Sequence, residues 1–61
     1  MKALLKLIDN GYQVTIKPTR RNYVITITSA TDGEVIDTIW RDRLDEIMPA
    51  ITSACATHVG R

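Results

Sequence analysis

The chain has 61 residues, 44% of them apolar and 25% charged, with a formal net charge of +1. That length admits one domain (residues 1–61), which hides only about 60% of the surface its unfolded chain exposes, so added support is expected. Cys55 is the only cysteine and His58 the only histidine, which excludes an internal disulfide, starves any metal site, and leaves self-association as the expected support.

Met1 to Asn10 is rich in Ala, Leu and Lys, good helix formers. Leu4, Leu7 and Ile8 share one face, while Lys2, Lys6 and Asp9 face water. Gly11 stands where a left-handed residue would end this helix. Asn10-Gly11 is also a two-residue hairpin signal, so the alternative is a fourth strand, Ala3–Asp9, in a β-β-β-β-α chain. Tyr12 to Lys17 alternates as a strand, with Tyr12, Val14 and Ile16 on one face and Pro18 ending it. Asn22 to Ser29 is the expected central strand: Tyr23, Ile25 and Ile27 form an apolar face, and Val24, Thr26 and Thr28 the other. Pairing Lys17 with Asn22 sets Ile16 opposite Tyr23, Val14 opposite Ile25 and Tyr12 opposite Ile27.

Glu34 to Trp40 is the third strand. A two-residue turn at Asp32-Gly33 would pair Ala30 with Val35 and send Ile36, Thr38 and Trp40 to the apolar side, with Trp40 its largest core side chain. A longer loop with a bulge at Gly33 would flip the strand and carry Asp37 inward. The cost of burying an unpaired carboxylate favours the shorter turn. The last helix starts near Asp42 as N-cap, with Asp45 and Glu46 in its first turns. Leu44, Ile47, Met48, Ile51, Cys55 and Val59 form its stripe. Pro49 either kinks it, or Arg43 to Met48 makes a separate turn and the helix proper starts near Pro49. The expected fold is α+β, ordered α-β-β-β-α: a three-stranded antiparallel meander with both helices on the Tyr23/Ile25/Ile27 face.

That order resembles the order of double-stranded-RNA-binding domains and of a small toxin family built on the same fold. Asp42, Asp45 and Glu46 stand where the RNA-binding family has a lysine-rich helix start. The toxin family's strand histidine has no counterpart, His58 being the only histidine. The resemblance is one of topology and implies the fold alone.

Two surfaces carry functional expectations. The outer sheet face, with Thr15, Val24, Thr26, Thr28, Val35 and Ile39, is more apolar than a solvated face requires, and it reads as a partner-binding surface. The meander also gathers Lys17, Arg20, Arg21, Arg41 and Arg43 at one end, with Asp9, Asp32 and Glu34 at the other, so a near-neutral chain is dipolar. Cys55 and His58 share a helix face, which reads as a small buried cysteine and a histidine favoured by the helix dipole. No P-loop, dinucleotide fingerprint, metal motif or paired-carboxylate pattern occurs, so no catalytic residue, cofactor, metal or small-molecule substrate is expected. No apolar run approaches the ~20 residues that span a bilayer, and no membrane association is expected. A lone cysteine without an apolar signal segment suits a reducing compartment, hence a cytoplasmic protein. The sequence therefore reads as a small non-enzymatic protein-binding or regulatory module of adaptor or inhibitor type, self-associating through the outer sheet face or a sheet edge. The alternative is a nucleic-acid-binding protein using the basic end.

Overall fold

A computed structural model describes residues 2–60; Met1, the first residue of the expected helix, lies outside the described residues. The elements are α1 (Lys2–Asp9), β1 (Tyr12–Pro18), β2 (Tyr23–Ser29), β3 (Val35–Arg41), a 3-10 turn (Leu44–Glu46) and α2 (Ile47–His58). This is the α-β-β-β-α order, with the strands antiparallel in the order β1-β2-β3 and both helices on one side.

Asn10-Gly11 ends a helix instead of turning a hairpin. Gly11 adopts φ 89°, a conformation that costs glycine little because it has no Cβ. Its N–H donates to the Ile8 carbonyl at 3.1 Å, and the Asn10 side-chain amide donates to the Lys6 carbonyl at 2.8 Å. The Asn10 N–H also donates to the Lys6 and Leu7 carbonyls at 3.1 Å, so the carbonyls of Lys6, Leu7 and Ile8 in the last turn all have partners. The fourth-strand alternative does not form.

In the β1–β2 hairpin Ile16 pairs with Ile25, Val14 with Ile27, and Tyr12 with Ser29. This differs by two residues from the pairing read from the sequence. Thr19 sets the difference: its N–H donates to the Asn22 carbonyl at 2.8 Å, and its hydroxyl oxygen accepts the Asn22 N–H at 3.0 Å. Pro18 can then stay in the strand opposite Tyr23. An even shift leaves every side chain on its expected face.

The β2–β3 hairpin differs by an odd shift, and that turns β3 over. Its turn runs from Ala30 to Gly33, closed by the Ser29 N–H on the Glu34 carbonyl at 2.8 Å. Gly33 takes φ 76°, and Asp32 Oδ1 accepts the Glu34 N–H at 3.0 Å. A bulge follows: Thr28 pairs with Val35 and Ile27 with Asp37, leaving Ile36 as the extra residue. Ile39 therefore lies beside Ile25 and packs on the core, while Trp40 pairs with Val24 on the opposite face. The two-residue turn, the inward Trp40 and the outward Ile39 and Asp37 are all corrected. The physical reason lies in Asp37, whose Oδ2 sits 3.1 Å from His58 Nε2 at the end of α2. The carboxylate is part-buried but partnered, so the penalty that argued against the flipped strand does not arise.

Asp42 caps no helix; the N-cap of the 3-10 turn is Arg43, which makes no side-chain cap bond. The turn leads straight into α2, and Pro49 falls in the first turn of α2, where an N–H would have no partner within the helix. The core consists of Leu7, Ile25, Ile27, Ile47, Ala50, Ile51, Ala54 and Cys55. Its small members on α2 let that helix lie close to β2 and β3, while α1 lies over β1 and against α2. Among the described residues no helix is long and apolar enough to cross a membrane.

Candidate functional site: the uncovered sheet face

With both helices on one side, the other side of the sheet is open to water. Strand pairing arranges it in rows: Lys17–Val24–Trp40, Thr15–Thr26–Thr38, and Gln13–Thr28–Val35. The central row is a threonine ladder, whose β-branched side chains suit a pleated surface. Along β3 the two ends of the face are apolar, with Thr38 between them. Trp40 is 57% exposed and Val35 56%, and Ile36 in the bulge is exposed as well. Isolated apolar residues in water are ordinary; here exposed Trp40 and Val35 stand at the two ends of one strand of an uncovered face.

Of the residues expected here, Thr15, Val24, Thr26, Thr28 and Val35 lie on this face, whereas Ile39 lies on the other and packs on the core. Trp40 and Thr38 take its place. The signal for them was present in the sequence: once His58 is recognised as a partner for Asp37, the flipped strand becomes acceptable and Trp40 must point outward.

The basic residues do gather at one end, since Tyr23 pairs with both Pro18 and Arg41. They do not form one free cluster. Arg43 makes a two-point ion pair with Asp45, at 3.2 Å through Nε and 3.1 Å through Nη2. Arg41 Nη1 donates to the Trp40 carbonyl at 2.8 Å. Lys17 falls on the open face, Arg41 on the helix side, and Arg20 and Arg21 in the β1–β2 loop.

Cys55 and His58 share α2, and the His58 imidazole meets Asp37 of β3. Cys55 is buried, and among the described residues the one side-chain hydrogen bond of the His58 imidazole is to Asp37. The Tyr12 ring tilts against the imidazole with centroids 6.2 Å apart. The pair thus ties the end of α2 to β3, with Tyr12 of β1 covering it. Among the described residues no group of three His, Cys, Asp or Glu side chains is placed to hold a metal ion.

Comparison of the chain with protein-family models, with curated proteins and with solved structures returns no match.

Proposed function

We propose that this chain is a non-enzymatic, cytoplasmic protein-binding module of adaptor or inhibitor type, and that its docking surface is the uncovered sheet face. The observation that carries the reading is Trp40, more than half exposed beside Val24, with Val35 and Ile36 further along the same strand. Tryptophan is among the residues most enriched at binding hot spots, because one rigid side chain hides a large area at low entropic cost. Threonines around it supply hydroxyls for a polar rim. The fitting partner is a protein surface with an apolar pocket for the indole.

The basic end supports the second reading, nucleic-acid binding, less well, because Arg43 is engaged by Asp45 and the rest divide between two faces. The test is affinity capture from the source cell with the wild type and with Thr26→Lys and Trp40→Lys. A specific protein retained by the wild type and lost with both folded variants supports the reading. An unchanged set of captured proteins overturns it. Binding to duplex DNA or RNA that weakens steeply with salt would favour the second reading instead.

A further inference from the structure

A second surface is unpartnered, and it lies at a right angle to the first. The bonds from Thr19 N–H to Asn22 and from Ala30 N–H to Gly11 fix where the β1–β2 ladder bonds fall. By the alternation of an antiparallel ladder, the backbone N–H and C=O groups of Tyr12, Val14 and Ile16 point away from β2, off the open edge of the sheet. Pro18 follows the same parity, so its missing N–H costs the ladder nothing. The other edge is blunted by the Val35–Ile36 bulge, a common protection of exposed edges. No bulge interrupts β1.

The side chains above this edge are apolar and wet. α1 runs antiparallel to β1 and lies over it, with α2 on its other flank. A right-handed helix in that position turns Ala3 and Leu7 toward α2 and the core, and turns Ile8 and Leu5 toward the open edge. Ala3 and Leu7 do pack inward, while Leu5 is 61% and Ile8 53% exposed. α1 is also short: about 12 Å of helix against about 23 Å of strand. It leaves Ile16, on the helix side of β1, 44% exposed.

The geometry points to a two-fold dimer in which β1 pairs antiparallel with β1 of a second copy, joining two sheets into one of six strands. The occupant of this edge is a second copy because the surface complements itself. An antiparallel two-fold sets the end of β1 beside the start of the other β1, so Ile16 of each copy meets Ile8 and Leu5 above the other's strand. The charges agree. Arg20 and Arg21 follow the end of β1, and Asp9 precedes its start, so each copy's basic loop meets the other's acidic helix end. The inference does not rest on the docking role of the opposite surface; it would place two Trp40 patches on one side of a continuous sheet.

The test is sedimentation equilibrium at micromolar concentration. The wild type is expected to dimerise. Leu5→Glu/Ile8→Glu, with unchanged circular dichroism, is expected to weaken association at least tenfold, and Trp40→Lys is expected to leave it unchanged. Because side-chain loss could act indirectly, a charge exchange supplies the second measurement. Arg20→Glu/Arg21→Glu weakens association, and adding Asp9→Lys restores it. A monomeric wild type, a dimer insensitive to Leu5→Glu/Ile8→Glu, or the absence of restoration by Asp9→Lys overturns the proposal. A dimer dissolved by Trp40→Lys would do so as well, and would move self-association to the open face.

Discussion

Exchanging Ile39 and Trp40, one at a time, for lysine separates the two faces of β3 by magnitude. Trp40 keeps a little under half of its surface out of water, about 100 Å², which is worth about 2.5 kcal/mol at ~25 cal/mol per Å². A lysine at that position can lay its methylene stem along Val24 and keep its ammonium in water. The net loss for Trp40→Lys is therefore about 1–2 kcal/mol. Ile39 is partly buried and packs against the core, so Ile39→Lys would instead bring an ammonium to the layer between sheet and helices, beside fully buried Ile25. That costs several kcal/mol, against a total stability of roughly 3–9 kcal/mol for a chain of this length. Urea unfolding followed by circular dichroism should show Trp40→Lys folded with a lowered midpoint and an unchanged slope, and Ile39→Lys largely unfolded in buffer. The reverse order, with Ile39→Lys tolerated and Trp40→Lys unfolded, would refute the register and with it the composition of the open face.

Two further substitutions probe the parts that set this arrangement. Asp37→Ala and His58→Ala, with the double variant, should give a coupling of about 0.5–1.5 kcal/mol in urea unfolding, the worth of one part-buried hydrogen bond; a coupling of zero would mean that the pair does not hold α2 to β3. Gly11→Ala forces a side chain into φ 89° and should cost about 1–2 kcal/mol although nothing crowds a Cβ there; a neutral or stabilising result would mean that the α1–β1 junction is not the left-handed cap described.

The helices and the central strand were legible in the sequence because their signals are local. Leucines and lysines at helical spacing mark α1, and the alternation from Tyr23 to Thr28 marks β2 and its faces. The two hairpin registers were less legible for different reasons. In the first, Thr19 and Asn22 bond within the loop and move the closing pair by an even step, which harms no face assignment. In the second, an Asp32 side-chain bond and the bulge move the pairing by an odd step, which exchanges the faces of Ile39 and Trp40. Period-two alternation specifies that two faces exist without saying which is covered. The deciding contact, His58 on Asp37, spans 21 residues. Thr15, Val24, Thr26, Thr28 and Val35 accordingly lie on the face where the alternation put them, and Ile39 changes places with Trp40.

Trp40 is the only tryptophan, so its fluorescence reports directly whether the sheet face is uncovered with an exposed indole at one end. In the folded, free protein the emission should be red-shifted, as for an indole in water. Iodide and acrylamide should quench it nearly as freely as in the urea-unfolded chain, including under conditions where the protein is dimeric. A blue-shifted emission shielded from iodide in the folded protein would contradict the account.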